Sequence, residues 1–198
     1  MDQYANFAEL KRHAVQGRDF LIEVRRGTSG FAVMAPHGGG IEPGTAVIAA
    51  AIAGRNHSYY AFKGIRPRNN GLLHIASERF DEPKAVKISR SVHTVITIHG
   101  CRGIRSRVWI GGLDQPLKAT IIDRLNAIGF QADNSSNPAL RGIHRNNLCN
   151  RGRRAKGVQL EISSGLRRVL VGSNDWQAAR QTEKLKRFTR AVRSALDN

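Results

Sequence analysis

The sequence predicts an α/β protein of one domain, built on a mostly parallel or mixed sheet. Two short apolar runs, 31–35 and 94–98, have the length and composition of buried strands. Between them lies the apolar stretch 46–53, bounded by Pro43, which suits a first helical turn, and Gly54, which suits a helix end. A length of 198 residues is typical of one domain. This alternation favours a sheet covered by helices.

The remaining elements extend the same alternation along the chain. Further strands are predicted at 20–24, 58–63, 107–110 and 157–162. Further helices are predicted at 4–17, 117–128 and 176–196, of which the last is basic and amphipathic. There is no internal repeat and no low-complexity tract. We therefore expect a single domain over residues 1–198, with residues 1–18 and 174–198 as terminal helices.

The chain is strongly basic, with 32 Lys and Arg against 15 Asp and Glu and a net charge of +17. Such a field attracts polyanions, so nucleic acid, an anionic membrane surface and an acidic polymer are the partner classes to consider. The aromatic content of 6% and the lack of a helix-turn-helix or RNA-binding signature do not favour nucleic acid. General solubility is the alternative explanation of the charge.

No targeting or membrane signal is found. No apolar run approaches the roughly 20 residues that a bilayer requires. Residues 1–11 carry acidic side chains and no apolar core of a signal peptide. We expect synthesis in the cytoplasm, with any release by lysis or a non-classical route, no membrane association and a monomeric protein.

The two cysteines, Cys101 and Cys149, are too few for a disulfide framework. They could form one bridge, lie buried as thiols, or lie near a functional site. Cys101 follows a candidate metal ligand by two residues, so a reactive thiol is one alternative. A buried and inert thiol is the more common outcome.

Two histidines and a glutamate follow predicted strand ends. His37 and Glu42 flank three glycines after the strand at 31–35, and His99 follows the strand at 94–98. Ligands of α/β sheets gather outside the carboxyl ends of strands, and two histidines with one glutamate form a known catalytic zinc set. The glycine turn could instead bind a phosphate, and His99 could be a structural histidine. Spacing alone leaves these alternatives open.

A series of motifs in order resembles one family. The run APHGGGIEPGT at 35–45 is followed by LHI at 73–75, FDEP at 80–83, IHGC at 98–101, NLCNRG at 147–152 and GVQLEI at 157–162. Together these motifs are similar to the poly-γ-glutamate hydrolase family, first known from bacteriophages. The likeness spans about residues 31–168, whereas the first 18 residues and the last helix match nothing known to us.

The resemblance implies a single catalytic domain with an open α/β fold similar to zinc carboxypeptidases. It implies one Zn²⁺ held by His37, Glu42 and His99, and cleavage of the γ-amide bonds of poly-γ-glutamate, an anionic polymer. Glu161 matches the catalytic glutamate of carboxypeptidases. Zinc lowers the pKa of water and polarises a carbonyl, and a nearby carboxylate can pass the proton to the leaving amine. Pairing of Glu161 with an arginine is the alternative.

The resemblance also implies residues for substrate binding. Asn150 and Arg151 look like the pair with which carboxypeptidases hold a carboxylate, and Arg145 could bind a neighbouring unit. His74 could orient a metal ligand or be structural. Two other functions stay open: zinc-dependent hydrolysis of another acidic or cell-wall γ-glutamyl substrate, and nucleic-acid binding.

Overall fold

A seven-stranded mixed sheet forms the centre of the computed structural model, which describes residues 2–173, 175 and 177–196. The strands, in chain order, are β1 (Phe20–Arg25), β2 (Phe31–Gly39), β3 (Ser58–Gly64), β4 (Thr94–Cys101), β5 (Val108–Gly111), β6 (Ala132–Asn134) and β7 (Val158–Ser163). Their order across the sheet is β1-β3-β2-β4-β7-β5-β6. The four inner strands β3, β2, β4 and β7 are parallel, whereas β1 and β5 run antiparallel to their inner neighbours.

Helices cover both faces of the sheet. They are α1 (Phe7–His13), α2 (Thr45–Ala53), α3 (Pro83–Ser91), α4 (Gln115–Ala127), α5 (Ser164–Val171) and α6 (Glu183–Ser194). Residues of α2, α4, α5 and α6 share one core with alternate strand residues such as Val33 and Ile98. Residues of α1 and α3 share the second core with Met34, Val95 and Phe62. The predicted α/β domain with a mixed sheet flanked by helices is confirmed, and no helix in the described residues is long and apolar enough to span a bilayer.

Several element boundaries differ from the prediction. The first helix is short because Asn6 caps its start and the chain is extended again at Ala14. The last helix begins at Glu183, where Thr182 accepts the Leu185 N–H as a cap, and not at 176. Of the predicted terminal segments, Met1, Asn174, Trp176, Asp197 and Asn198 lie outside the described residues.

Three elements were not predicted from the sequence. Helix α3 starts at Pro83 after Glu82, whose side chain accepts the Ala85 N–H, so the FDEP motif contains a helix start. Helix α5 follows β7 without a loop, capped by Ser163. Strand β6 has only three residues, too few for a recognisable alternation.

A bulge in β2 decides which face His37 occupies. The register of β2 against β3 shifts between Ala35 and Gly38. In a regular strand His37 would share the face of Val33 and Ala35. After the bulge its ring instead contacts Phe80, which belongs to the second core, with ring centroids 6.2 Å apart. The bulge therefore directs His37 to the face on which the site is built.

The glycine run ends this strand in a conformation that other residues rarely adopt. Gly39 has a φ of +64°, and a Cβ there would collide with the carbonyl of Gly64. We predict that Gly39→Ala lowers the free energy of unfolding by about 2 kcal/mol or more, measured by urea denaturation. Gly71→Ala is the matched control, because a Cβ at Gly71 meets nothing within 4 Å. Equal stabilities of the two variants would contradict the role given to Gly39.

Candidate metal centre

Three side chains from separate segments converge at the carboxyl ends of β2 and β4. The Nδ1 atoms of His37 and His99 lie 3.1 Å apart. His37 Nδ1 lies 3.2 Å from Glu42 Oε1, and His99 Nδ1 lies 3.8 Å from Glu42 Oε2. Both histidines are buried. The structure therefore brings together the three residues that the sequence predicted as metal ligands.

Neighbouring backbone and hydroxyl groups orient these side chains. His37 Nε2 donates to the carbonyl of Ile75 at 2.8 Å, which leaves the Nδ1 lone pair free to face the cluster. His99 Nε2 lies 3.2 Å from Ser77 Oγ, and Glu42 Oε2 accepts the Gly100 N–H at 2.8 Å. Such partners fix the ring orientation of ligating histidines. Segment 75–77 thus supports both histidines.

The geometry suits a metal ion with tetrahedral ligands. One donor atom of each of the three residues lies within 4.8 Å of the other two. Bonds of about 2.1 Å in a tetrahedral shell place ligand atoms about 3.4 Å apart, close to the observed separations. Two nitrogens and one carboxylate are donors that divalent transition metals accept. The residues present therefore fit such an ion.

Burial and mutual charge set the protonation of the cluster. Burial would raise the pKa of Glu42, but His37, His99 and the Gly100 N–H outweigh it and hold this pKa at about 2. Burial, together with His37, lowers the pKa of His99 to about 3. Burial would likewise lower the pKa of His37, but the Glu42 carboxylate raises it overall. An ionised Glu42 and a neutral His99 are the forms that bind metals.

Glu161 lies beside the cluster because of strand register. Residue His99 of β4 pairs with Glu161 of β7, so their side chains share a face. Gln159 donates to Glu161 Oε1 at 2.8 Å and accepts from Asn147 at 3.0 Å, which orients the carboxylate. Burial, and then the charge of Glu42, raises the pKa of Glu161 to about 8. A carboxyl group with this pKa can exchange a proton near neutral pH.

One buried arginine, which was not singled out from the sequence, joins the segments that carry these groups. Arg167 of α5 donates to the carbonyls of Pro43 at 2.7 Å, Cys101 at 3.3 Å and Ile162 at 3.0 Å. These carbonyls lie within two residues of Glu42, His99 and Glu161, respectively. No sequence signal separates Arg167 from the many other arginines, since two of its three contacts are with residues distant along the chain.

His74 lies next to His37 and Glu42 at the edge of the cluster. Its ring stacks on His37 with centroids 3.9 Å apart, and its Nδ1 lies 2.8 Å from Asp2 Oδ1. Its Nε2 is 4.0 Å from Glu42 Oε1. Burial, and then His37, lowers the pKa of His74. The predicted orienting role of His74 stays a prediction, which this stacking supports.

An open cleft of about 720 Å³ surrounds the cluster. Segments 76–78, 99–102 and 137–144 form its walls, with the exposed Arg102 at the rim. Cys101 lines the cleft as a free thiol whose pKa burial and Glu161 raise to about 11, so it is protonated at neutral pH. Cys149 is free and buried, so the two cysteines form no bridge.

The structure does not bring the predicted substrate-binding residues into this cleft. Arg151 donates to the carbonyls of Phe80, Ser77, Glu78 and Asn146. The side chain of Asn150 bonds four backbone groups, namely the N–H groups of Leu113 and Gly157 and the carbonyls of Gly142 and His144. Arg145 is exposed and is not among the residues lining the cleft. In this geometry the side chains of Asn150 and Arg151 bond backbone groups, and their role in substrate binding stays a prediction.

Comparisons with known proteins agree on one family. The model of the family described as poly-gamma-glutamate hydrolase matches residues 4–192. The UPF0714 protein YndL of Bacillus subtilis (strain 168) is 34% identical over 201 residues, covering 100% of this chain and 79% of YndL. A bacteriophage poly-gamma-glutamate hydrolase structure superposes with a TM-score of 0.93 at 32% identity, covering 98% of this chain and 96% of that chain. A zinc-free YndL structure also gives a TM-score of 0.93, at 34% identity and covering 100% and 98%.

The fold and these likenesses define the protein as a hydrolase of amide bonds, built on an α/β fold. The chain belongs to the poly-gamma-glutamate hydrolase family, since the match extends over nearly its whole length. The resemblance found in the sequence motifs is thereby confirmed.

The contacts of Arg151 lead to a prediction. Arg151→Ala removes a donor from four backbone carbonyls and should lower the free energy of unfolding by about 2 kcal/mol. The exposed Arg153 is the control, and Arg153→Ala should change it by less than about 0.5 kcal/mol. Thermal and urea unfolding measure both. An Arg151→Ala protein of unchanged stability with a raised KM would instead support the substrate-grip interpretation.

Proposed function

We propose that this chain hydrolyses the γ-glutamyl amide bonds of poly-γ-glutamate with one zinc ion bound by His37, Glu42 and His99. The observation that carries the proposal is the convergence of two imidazole Nδ1 atoms and one carboxylate beside Glu161. Family membership supports the substrate, because the matching phage structure is a hydrolase of this polymer. Among metals, zinc is supported by the donor set and by the related protein YndL, of which a zinc-free form is known.

Residues around the proposed zinc ion have separate roles in hydrolysis. Bound zinc would supply Lewis-acid polarisation of the scissile carbonyl and a lowered pKa for water. Glu161 takes a proton from the attacking water and returns it to the leaving amine as the amide bond breaks. Its burial and raised pKa suit both directions of transfer, and Gln159 holds its Oε1 in place at 2.8 Å. Ser77 and the carbonyl of Ile75 keep the histidine rings in orientation.

The rim of the cleft suits an acidic chain. Every γ-linked glutamate retains a free α-carboxylate, so the substrate is a polyanion. Arg102 is exposed at the rim and makes no ion pair with any described residue, whereas His144 Nδ1 lies 4.0 Å from Glu78 Oε2. The net charge of +17 favours encounter with such a polymer. An open cleft admits a chain that extends beyond the bond to be cut.

The proposed ligands define a metal test. Chelation should abolish release of amino groups from poly-γ-glutamate, and added zinc should restore it. His99→Ala should lower bound zinc, measured by elemental analysis, and reduce hydrolysis to background. The exposed His13 provides the control, and His13→Ala should keep both zinc and activity. An active, folded protein without any bound metal would falsify the proposal.

The role of Glu161 leads to a separate test. Glu161→Gln should lower kcat by about 10²–10⁴-fold while zinc content and stability are kept. Glu78→Gln makes the same side-chain substitution at a half-exposed position on the cleft wall and should leave kcat within about threefold. Steady-state kinetics on poly-γ-glutamate, beside a γ-glutamyl dipeptide and peptidoglycan fragments, give the comparison. A Glu161→Gln protein with unchanged kcat excludes the assigned proton transfer, and activity confined to the peptidoglycan fragments would favour a cell-wall substrate.

A further inference from the structure

Two further cavities lie beyond the cleft on the same edge of the sheet. The first has about 470 Å³ and is lined by residues including Arg102, Arg105, Arg107 and Trp109. The second has about 620 Å³ and an apolar floor that includes Ile128, Phe130, Leu166 and Val169. Arg102 lines both the cleft and the first cavity, and Arg105 and Arg107 line both of the further cavities. Shared lining residues thus connect the cleft to the second cavity.

Strand register places the loops that line these cavities along one edge of the sheet. Val108 at the start of β5 pairs with Ile162 near the end of β7, and also with Ala132 at the start of β6. The starts of β5 and β6 therefore lie at the edge where β4 and β7 end. From β4 to β6 there are three strand spacings of about 4.8 Å, or about 14 Å in all. Several carboxylates of an extended polymer fit this distance.

The loop 102–107 is fixed by its backbone and leaves its side chains outside. The carbonyl of Gly103 accepts the Gly165 N–H at 2.9 Å, and the carbonyl of Arg105 accepts the Ser163 hydroxyl at 2.7 Å. Ser163 Oγ in turn accepts the Arg107 N–H at 3.0 Å. At the tip, Ile104 is 95% exposed. The start of α5 thus holds the loop and presents its arginines along the edge.

The basic side chains along this edge lack acidic partners. Lys184 and Arg187 of α6 complete the wall of the second cavity, opposite Arg105 and Arg107. In the described part of the chain, none of these four makes an ion pair, and none of the residues lining either cavity is acidic. Glu183, next to Lys184, is paired with Lys186 at 2.6 Å. An anionic chain would supply the missing counter-charges.

We propose that Arg105, Arg107, Lys184 and Arg187 form an anion track, a second binding surface for poly-γ-glutamate continuous with the catalytic cleft. The inference rests on the proposed function, because the track holds units of the same polymer beyond the bond being cut. It binds α-carboxylates several units away and selects long chains over short ones. Its contribution appears in KM, since these side chains lie outside the cleft that holds the cluster.

A carboxylate polymer fits the track better than nucleic acid does. Binding of unpaired bases requires exposed aromatic faces. Here Arg107 covers Trp109 at 5.1 Å, and Phe130 packs edge-on against Phe188 with centroids 5.2 Å apart. Continuity with the cleft through Arg102 also favours the substrate over an unrelated ligand.

The test compares two variants that lose the same charge in different places. The track variant carries Arg105→Gln, Arg107→Gln, Lys184→Gln and Arg187→Gln. The control variant carries Lys11→Gln, Arg12→Gln, Arg26→Gln and Arg55→Gln, at exposed positions outside all the cavities described. Circular dichroism and thermal unfolding confirm that both fold. The track variant should raise KM for long poly-γ-glutamate by about 10-fold, with kcat and the kinetics of a γ-glutamyl dipeptide unchanged.

Other outcomes of this comparison would overturn the proposal or assign the surface to a different ligand. Equal increases of KM in both variants would mean that the net positive charge of the protein, and not the track, attracts the polymer. An unchanged KM for the polymer in the track variant would also overturn the proposal. Binding of fluorescent poly-γ-glutamate to Glu161→Gln protein, with and without the track substitutions, is measured in parallel. If the wild-type protein does not hydrolyse poly-γ-glutamate, the proposed function fails, and the binding assay alone shows whether the track binds the polymer. Tighter, track-dependent binding of single-stranded DNA of equal charge would assign the surface to nucleic acid.

Discussion

Three chain segments that are distant in sequence meet at the guanidinium group of Arg167. Its hydrogen bonds to the carbonyls of Pro43, Cys101 and Ile162 fix the loop after β2 and the ends of β4 and β7 relative to one another. Burying an arginine is costly unless its donors are satisfied, and the charges of Glu42 and Glu161 further offset this cost. The arrangement of the cluster therefore depends on a residue outside the cluster.

The face on which the cluster forms follows from strand parity and one exception to it. On β4 and β7, alternation alone places His99 and Glu161 opposite the large apolar core of Ile98 and Leu160. His37 would fall on the wrong face without the bulge between Ala35 and Gly38. The site thus combines a regular feature of the sheet with a local irregularity that is specific to one strand.

The sequence predicts the elements with strong patterns and the ligands that follow them. The β-branched run of β4 and the apolar run of β2 locate His99 and His37, the glycine turn after His37 leads to Glu42, and the family resemblance points to Glu161. The four carbonyl contacts of Arg151 could not be predicted, because its partners are distant along the chain or belong to no motif. Arg167 and Ser77 were missed for the same reason: tertiary contacts, not periodicity, give them their roles.

The support of segment 75–77 for both histidines has a consequence for regulation. The cluster lies on strands with apolar cores buried on both faces, so the fold has a large source of stability apart from an ion. Small zinc domains differ, because the free energy of zinc binding is what makes them fold. In the proposed enzyme, the ligands are preorganised, and loss of the ion would leave a folded but inactive protein. The rate of hydrolysis would then rise and fall with the free zinc concentration, and the protein would stay folded throughout.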